Sequence, residues 1–403
     1  MKEPADFGLN LATPPSYDWP AMKQRKDKIV GGLVNGVGLL FKSHGVHHIE
    51  GYGRITGEKQ VTVFGNDGRE IKLETETIII ATGSRSASIP AFPFDGTRIL
   101  NSDHLLELDH LPQKMLIVGA GVIGCEWATM LSMLDVEVTM VEMLDHALPM
   151  QDVDSSKLLE RELKKLKVQL HTKTKVESIE PGPDGLRAKL SGDKIVDANQ
   201  VVVSVGRAFN TEDIGLDEVG VTTNKNGSIK IGPDCRTNVK NIFAIGDVAG
   251  ESLLAYTAVH DGAVAVDNAL GGKVKRNYLG VPLVVFTHPE VASVGMTEAE
   301  AAKDHDVAIG KFPLRALGKA HAENEIAGEV KIVGDKKTDE LLGVHIVGVH
   351  AAEIIHTPAL AINQKLTVTQ LGSLIFGHPV ISEAIMEAAH DFHKMSVHLA
   401  KKK

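Results

Sequence analysis

The chain has 403 residues, too many for one ordinary core, so it is expected to contain two to four domains. Its net charge of −9 and its lack of long lysine or arginine runs argue against nucleic acid or an anionic membrane as the main partner. No apolar segment approaches the roughly 20 residues that span a bilayer, and the first residues begin no secretory signal. The expected location is therefore the cytoplasm or an organelle matrix.

The first predicted element is a helix that contains four glycines. Residues 1–19 include several prolines and lack periodicity, so they are predicted to be irregular. From Pro20 to Phe41, apolar residues recur at helical spacing. Each glycine costs a helix about 1 kcal/mol relative to alanine, so we expect another element or a cofactor to lie close against this helix. The four glycines are Gly31, Gly32, Gly36 and Gly38.

A predicted hairpin and a buried strand follow. Residues 61–64 and 71–73 flank an Asn-Asp-Gly turn at 66–68, which predicts an antiparallel pair. Residues 77–80 predict a further strand, which leads into Thr-Gly-Ser at 82–84. A strand that ends in this way can place backbone N–H groups near a ligand.

A glycine turn is the strongest local signal in the chain. An apolar run at 115–118 opens into Gly119, Gly121 and Gly124, and a helical pattern follows directly. In this context the first glycine allows the turn, the second lets a pyrophosphate approach the backbone, and the third lets helix pack on strand. The next apolar strand ends in Glu142, whose carboxylate can accept hydrogen bonds from both ribose hydroxyls and favours NAD over NADP. We predict a dinucleotide site, with a purely structural turn as the alternative.

The following elements are predicted to complete this sheet and to begin a second one. They are a polar helix at 155–167 and strands at 169–178, 186–190 and 201–205. A further strand at 241–244 leads to Asp247 and a helix at 255–270. Asp247 suits a ribose or polyol hydroxyl, although an aspartate here can also be a helix N-cap. The two glycine-tipped strand systems indicate two nucleotide-binding lobes.

Beyond a predicted linker at 271–280, the sequence indicates an α+β domain with its own core. Its predicted elements are a strand at 281–286, a helix at 297–303, a hairpin of 329–333 and 341–347, and helices from Ala351 and Ser382.

Cysteines and histidines give weaker signals. Cys125 and Cys235 are the two cysteines of the sequence and form no CxxC or CxxxxC pair. Cys125 is predicted to be a small buried thiol, with a thiol activated by the helix N-terminus as the alternative. His44, His47 and His48 are predicted to be a surface cluster, and no metal site is expected.

Six motifs occur in the order and at the spacing of one enzyme family. They are Thr82-Gly83-Ser84, the glycine turn with Glu126, Gly206-Arg207, Ala244-Ile245-Gly246-Asp247, Thr287-His288-Pro289-Glu290, and His378-Pro379 with Ser382-Glu383. From about residue 5 to the C-terminus, the chain resembles the flavin-dependent pyridine nucleotide-disulfide oxidoreductases, and among them the dihydrolipoamide dehydrogenases. The resemblance implies oxidation of dihydrolipoyl groups by NAD+ through FAD.

The same resemblance implies an α/β fold with two Rossmann-like nucleotide-binding lobes, one inserted in the other, and a C-terminal α+β dimerisation domain. It divides the chain into a shortened FAD-binding domain at 1–112, an NAD-binding domain at 113–240, a return segment at 241–275 and an interface domain at 276–403. The implied partners are a second copy of the chain and a lipoyl-bearing acyltransferase of a 2-oxo acid dehydrogenase complex.

Cofactor-binding roles are carried over motif by motif. For FAD, the resemblance implies Gly53, Thr82, Gly83, Ser84, Asp247 at the ribityl chain, and Leu253, Leu254, Ala255 and Tyr256 under the flavin. For NAD, it implies Gly119, Gly121, Gly124, Glu126, Glu142, Val176 and Gly206. Tyr256 stands where the family usually has histidine, and the lysine that pairs with Glu126 in the family has no counterpart that we identify.

His378 is implied to be the general acid-base that takes a proton from the dithiol. Glu383, five residues on, is implied to hold the ring and to raise its basicity. Imidazole suits the task because its pKa lies near neutrality and a carboxylate partner selects its tautomer.

Two features of the family are missing from the sequence, namely the N-terminal FAD-binding GxGxxG and the CxxxxC redox pair. A weakened FAD lobe is therefore expected, and three explanations stay open. In the first, the sequence is a truncated or late-starting dihydrolipoamide dehydrogenase. In the second, it is a disulfide-free diaphorase or transhydrogenase that moves hydride between nicotinamide and flavin. In the third, it is a non-catalytic NAD-binding dimer module.

Overall fold

The computed structural model describes residues 4–10, 12–13, 16–183 and 185–400. The statement on a secretory signal, which concerns the first three residues, lies outside the described residues, and so do Pro14 and Pro15 of the predicted irregular start. Besides the helices and strands below, the described residues form short 3-10 turns at Pro4–Phe7, Asp217–Val219, Gly246–Ala249 and Leu314–Ala316.

The predicted first helix is confirmed as α1 (Trp19–Ser43), which begins after Asp18, whose side chain accepts a hydrogen bond from the N–H of Ala21. The expectation that another element packs against its glycines is wrong for the described part of the chain, whereas the alternative of a cofactor stays a prediction. No α1 residue is buried, and a Cβ added at any of the four glycines would meet nothing within 4 Å. None of the described elements covers this face, so apolar side chains such as Leu33 and Leu39 face solvent.

The predicted hairpin is confirmed, and a third strand that was not predicted extends it. The strands are β1 (Tyr52–Gly57), β2 (Gln60–Phe64) and β3 (Glu70–Glu74), which pair antiparallel in that order. The chain then forms β4 (Ile78–Ile80), as predicted, and the short β5 (Ser84–Ser86).

The middle of the chain builds a parallel sheet with strand order β6-β13-β7-β8-β9 and a separate antiparallel sheet β10-β11-β12. Helices α2, α3 and α4 are Ser102–Leu106, Val122–Met133 and Val153–Lys165. Strands β6 to β14 are Ile99–Leu100, Lys114–Val118, Glu137–Val141, Gln169–His171, Val176–Gly182, Gly185–Leu190, Lys194–Ala198, Gln200–Val203 and Arg207–Phe209.

The prediction of one strand at 169–178 is wrong, because this segment contributes to two different sheets. β9 ends the parallel sheet and β10 begins the antiparallel one. Between them Lys173 has a φ of 52°, a left-handed conformation that interrupts an extended strand.

The next two elements return the chain to β4. They are β15 (Ile242–Ala244) and α5 (Ala255–Ala269), close to the predicted bounds. β15 pairs parallel with β4, with Ile242 opposite Ile78 and Ala244 opposite Ile80. The carboxyl ends of the two strands therefore lie side by side, which brings residues 81–84 next to the turn that contains Asp247.

The C-terminal part is an α+β domain built on a five-stranded antiparallel sheet of order β16-β17-β20-β19-β18. Strands β16 to β20 are Leu283–Val285, Glu290–Gly295, Val307–Pro313, Glu329–Asp335 and Leu341–Gly348. Helices α6 to α11 are Glu298–Ala301, Gly318–Ala322, Ala351–Ile354, His356–Asn363, Val368–Gly372 and Glu383–Phe392. The predicted hairpin is β19 and β20, whereas β17, β18, α7 and α10 were not predicted. The α/β fold class with an α+β C-terminal domain is confirmed.

Candidate cofactor and acid-base site

The glycine turn between β7 and α3 has the packing that its sequence predicts. A Cβ on Gly119 would lie 2.4 Å from the carbonyl oxygen of Ser204, and one on Gly124 would lie 2.0 Å from the carbonyl oxygen of Gly119. A Cβ on Gly121, in contrast, would meet nothing within 4 Å. The first and third glycines are thus required by packing, while the second faces open space at the N-terminus of α3, where a pyrophosphate fits.

Glu142 follows β8 and is buried beside this turn. Its Oε2 accepts a hydrogen bond of 2.7 Å from the N–H of Ala120, and its Oε1 accepts one of 2.8 Å from the N–H of Leu144. Each carboxylate oxygen has a second lone pair, so a ribose hydroxyl can still donate to it. The NAD-binding role of Glu142 stays a prediction that this geometry permits.

Two other residues predicted for NAD lie in different settings. Val176 begins β10 and is 6% exposed, so its side chain is part of the core. Gly206 follows β13 with a φ of 129°, and a Cβ there would meet nothing within 4 Å. Gly206 therefore leaves open space at the carboxyl edge of the parallel sheet, whereas Val176 is positioned by packing.

Asp247, at the predicted FAD lobe, is held by two side chains from distant parts of the sequence. The hydroxyl of Ser84 donates a short hydrogen bond to Oδ2 of Asp247. Nε of Arg207 donates to the Ser84 hydroxyl at 2.5 Å and lies 3.6 Å from Oδ2 of Asp247. The carboxylate bonds these side chains rather than an N–H of its own turn, so the N-cap alternative is not observed. Arg207 was missing from the predicted site residues, although its place directly after Gly206 in a quoted motif was a signal for it.

The neighbouring strand tip is held by a reciprocal pair. The hydroxyl of Thr82 donates to the carbonyl oxygen of Asn210 at 2.7 Å, and the amide of Asn210 donates to the carbonyl oxygen of Thr82 at 2.8 Å. Gly83, between Thr82 and Ser84, has a φ of 70° and open space at its Cβ position. Gly53 lies on β1 and is exposed, also with open space. These positions leave room for a cofactor without a side chain in the way.

The predicted flavin-facing segment 253–256 begins α5. Leu253 and Tyr256 are each 45% exposed, Leu254 occupies the N-cap position, and Ala255 is the first helical residue. The Tyr256 hydroxyl donates a 2.5 Å hydrogen bond to the carbonyl oxygen of Pro282, and partial burial raises the pKa of this tyrosine. Tyr256 therefore ties α5 to the C-terminal domain.

The side chain of Glu126, on α3, contacts the backbone of the C-terminal domain. Its Oε1 accepts a hydrogen bond of 2.9 Å from the N–H of Phe286, and burial raises the pKa of its carboxyl although this hydrogen bond opposes the rise. Among the ion pairs of the described residues, none joins Glu126 to a lysine.

His378 and Glu383 meet at the start of α11. Nδ1 of His378 lies 2.9 Å from Oε1 of Glu383, and Oε2 of Glu383 accepts a 2.9 Å hydrogen bond from the N–H of Val380. Burial favours the neutral carboxyl, but the hydrogen bonds from His378 and Val380 outweigh it and lower the pKa of Glu383. The imidazole is 81% exposed, whereas the carboxylate that holds it is 18% exposed. The arrangement is a fixed carboxylate that orients an accessible imidazole.

Neither cysteine has the setting of a redox thiol. Both side chains are fully buried. The Cys125 thiol donates to the carbonyl oxygen of Ala120, and the Cys235 thiol to that of Asp261. Burial raises the pKa of both thiols, that of Cys235 to about 12. The prediction of a buried thiol at Cys125 is confirmed, and these two residues do not form the family's disulfide.

Two properties of the described residues concern membranes and metal ions. Within them, no helix combines the length and the apolar character needed to cross a membrane. Nor do those residues contain three or more His, Cys, Asp or Glu side chains grouped so that they could hold a metal ion. The cluster of His44, His47 and His48 is exposed.

Comparison with known proteins decides the family. A family model described as pyridine nucleotide-disulphide oxidoreductase matches residues 7–262, and the model of its dimerisation domain matches residues 281–389. The chain belongs to the pyridine nucleotide-disulphide oxidoreductase family.

Relatives and solved structures agree with this assignment. The chain is 39% identical to dihydrolipoyl dehydrogenase of Bacillus subtilis, covering 96% of this chain and 85% of the relative, and 37% identical to that of Chlamydia pneumoniae, covering 96% and 84%. The crystal structure of LpdA from Mycobacterium tuberculosis matches with a TM-score of 0.88 and 28% identity, covering 96% of this chain and 85% of that one. The function of this chain is therefore dihydrolipoyl dehydrogenase-like, that of an NAD-dependent flavin disulfide oxidoreductase with FAD and NAD as cofactors, and its dimerisation domain makes it a homodimer.

Proposed function

We propose that His378 and Glu383 are the acid-base pair of the dihydrolipoyl dehydrogenase-like reaction. The observation that carries this proposal is the 2.9 Å contact between Nδ1 of His378 and Oε1 of Glu383 on an exposed imidazole. Because the carboxylate keeps a proton on Nδ1, Nε2 is the basic nitrogen and faces outward. Nε2 can then take the proton of a substrate thiol, which becomes the reactive thiolate.

The residues around the two strand edges would bind the cofactors. FAD, when bound, supplies the two-electron carrier between a dithiol and NAD+. Asp247, fixed by Ser84 and Arg207, would accept hydrogen bonds from the polyol chain of FAD. The open positions at Gly53 and Gly83 would leave room for FAD. Thr82 would lie at the same strand tip as Gly83, and residues 253–256 would lie along the flavin ring.

The NAD+ pyrophosphate would lie against Gly121 at the N-terminus of α3, where N–H groups and the helix dipole favour phosphate oxygens. Gly119 and Gly124 would keep the turn tight, and Glu142 would accept from the adenosine ribose. Glu126, Val176 and Gly206 would line the remainder of the NAD site.

One observation favours a second candidate, NADH-dependent reduction of an acceptor through flavin without a disulfide. Cys125 and Cys235 are both buried and each donates to a carbonyl oxygen, so neither thiol is available for exchange. Under this candidate His378 would have no role in turnover, because no thiol proton would move.

Three assays on the purified chain reconstituted with FAD separate these candidates. Where the chain oxidises dihydrolipoamide, the proposal expects the rate to fall by about 10²–10⁴ in His378→Gln while NADH-dependent dye reduction stays. Dye reduction without any dihydrolipoamide oxidation would select the second candidate. Failure to bind flavin, with NAD binding and dimers retained, would instead select a non-catalytic NAD-binding module.

Finer assignments belong to the same proposal. The partner in a larger assembly would be a lipoyl-bearing acyltransferase of a 2-oxo acid dehydrogenase complex. The location would be the cytoplasm or an organelle matrix. One relative, 37% identical, is a mitochondrial dihydrolipoyl dehydrogenase of Arabidopsis thaliana. The proposed divisions are FAD binding at 1–112 and 241–275, NAD binding at 113–240, and the subunit interface at 276–403.

A further inference from the structure

Helix α11, which carries Glu383 of the acid-base pair, carries a further imidazole-carboxylate pair. Nδ1 of His398 lies 2.8 Å from Oε1 of Glu387. Glu387 follows Glu383 by four residues on the same helix. Side chains at this spacing are neighbours on one helix face, with Cβ atoms about 5–6 Å apart. The two carboxylates, each with its own imidazole, therefore lie next to each other on α11.

The further pair is built in the same way as the acid-base pair. The side chain of Glu387 is 3% exposed, whereas the imidazole of His398 is 64% exposed. The second carboxylate oxygen is also engaged, because Oε2 of Glu387 accepts a 2.7 Å hydrogen bond from the hydroxyl of Ser396. Glu387 thus orients an accessible His398, as Glu383 orients an accessible His378.

The segment after α11 that carries His398 is held by several independent contacts. The N–H of Met395 donates to the carbonyl oxygen of His390 at 2.8 Å, where the chain turns back from the helix. Ser396 is bonded to Glu387, and Leu399 packs against the hydrophobic core of the C-terminal domain. These contacts on both sides of His398 place its imidazole beside α11.

The charge of His398 acts on the acid-base pair without direct contact. Burial opposes ionisation of Glu383, but hydrogen bonds from His378 and Val380 outweigh it and lower the pKa of this residue. The charges of His378 and His398 lower it further. Imidazoles titrate near neutrality, so the charge of His398 changes in the pH range in which a histidine base takes up its proton. Like charges oppose each other, so a protonated His398 disfavours a protonated His378.

Other ionisable groups around α11 have partners elsewhere. The helix packs against β18, β19 and α10, and α10 has no ionisable side chain. The remaining groups of these elements and of the segment after α11 are paired as follows: His390 with the carbonyl oxygen of Gly372, Asp391 with Lys394, His393 with Asp339, Lys311 with Asp154 and Glu329, Lys331 with Asp152, and Asp335 with His305. Within these described elements, His398 is therefore the charge that adjoins the acid-base pair.

We propose that His398, held by Glu387, is a positioning residue for the acid-base pair, because its imidazolium charge favours an ionised Glu383 and an unprotonated His378. This role rests on the proposed function of His378 and deepens it. When His398 is protonated, Nε2 of His378 stays free to accept a thiol proton. The pair therefore acts as a base at a lower pH than it would without the charge at residue 398.

The test is an NMR titration of the full chain labelled with ¹³C at Cε1 of histidine, in which His378→Gln identifies the His378 signal by its loss. His398→Gln removes the charge but keeps a donor for Glu387, and His398→Lys keeps a permanent positive charge. We expect the titration midpoint of the His378 signal to rise by about 0.3 pH units in His398→Gln and to fall in His398→Lys. Both shifts should shrink between about 0.1 M and 1 M salt, because the screening length falls from about 10 Å to about 3 Å.

The matched control is His393→Gln at the C-terminal end of α11, which lies about 15 Å along the helix from Glu383 and should leave the midpoint unchanged. A merely structural role of His398 would move the midpoint in the same direction in both variants. That result, or no shift in either variant, would overturn the positioning role. The midpoints are measured without turnover, so dihydrolipoamide oxidation that persists in His378→Gln would overturn the proposed function separately.

Discussion

Oε2 of Glu142 lies 2.7 Å from the backbone nitrogen of Ala120. Glu142 follows β8, so it holds the glycine turn that follows the neighbouring strand β7. The other oxygen of the same carboxylate holds Leu144. The carboxylate of Glu142, which we propose binds the ribose, is thus held in place before any cofactor binds. Two backbone N–H donors set its orientation.

Replacement of Glu142 by glutamine should destabilise the chain by about 1–3 kcal/mol, because an amide NH2 would then face one of two buried N–H donors. NADH affinity should fall as well. Thermal unfolding and NADH titration measure both effects, and Glu137→Gln, at the exposed end of β8, is the matched control. Equal stability of the two variants would contradict the prediction.

The glycine turn should separate packing from binding. Gly124→Ala should cost about 1–3 kcal/mol of stability, because its Cβ would lie 2.0 Å from the carbonyl oxygen of Gly119. Gly121→Ala should leave the free energy of unfolding within about 0.5 kcal/mol but weaken NADH binding about tenfold. Denaturant unfolding and NADH titration test the pair. A Gly121→Ala variant with normal NADH affinity would place the pyrophosphate elsewhere.

Acid should weaken the fold through Glu383. Its pKa in the folded chain lies below the usual value of 4.5, so its ionised form contributes stability that is fully present above that value and is lost as pH falls through the folded pKa. Glu383→Gln should therefore unfold at a lower temperature than the parent at pH 6, with the difference shrinking below pH 4.5. A difference that is constant with pH would contradict this.

Thiol titration should report two inaccessible cysteines. Cys125 and Cys235 are buried and their pKa values are raised, so neither should react with a thiol reagent in the native chain at pH 8, and both should react in denaturant. Fast reaction of one native thiol would contradict the assignment of both as structural.

Local signals made the glycine turn predictable, because strand, turn, helix and acidic residue lie within 30 consecutive residues. The contact of Ser84, Arg207 and Asp247 joins three distant segments, and no local pattern specifies it. The sequence could place Asp247 at a strand tip, but it could not show that Arg207 fixes this carboxylate. The pairing of β4 with β15 brings Ser84 to Asp247, and the pairing of β5 with β14 brings Arg207 to Ser84.

Strand β18 shows why some elements were missed. It contains Gly310 and Pro313, which are both uncommon in strands. Gly310 is required by tertiary packing, since a Cβ there would lie 2.1 Å from the carbonyl oxygen of Ala388 on α11. The residue that weakens the local strand signal is the one that lets the helix approach the sheet.

Lys331 should be the most sensitive charged residue of the C-terminal domain. It is 1% exposed, and its ammonium group contacts Asp152, Asp154 and Glu298, so it joins β19 to the start of α4. Lys331→Met leaves these carboxylates without their shared cation and should cost about 3–5 kcal/mol in denaturant unfolding.

The matched control is Lys337→Met, because that side chain is 78% exposed and lies 3.8 Å from Asp306. The control should change the free energy of unfolding by less than about 1 kcal/mol. If Lys331→Met instead unfolds like the parent, solvation of the freed carboxylates must offset the lost pairs. The buried cluster would then be neutral for stability, and the contact between the two parts of the chain would depend on its apolar packing.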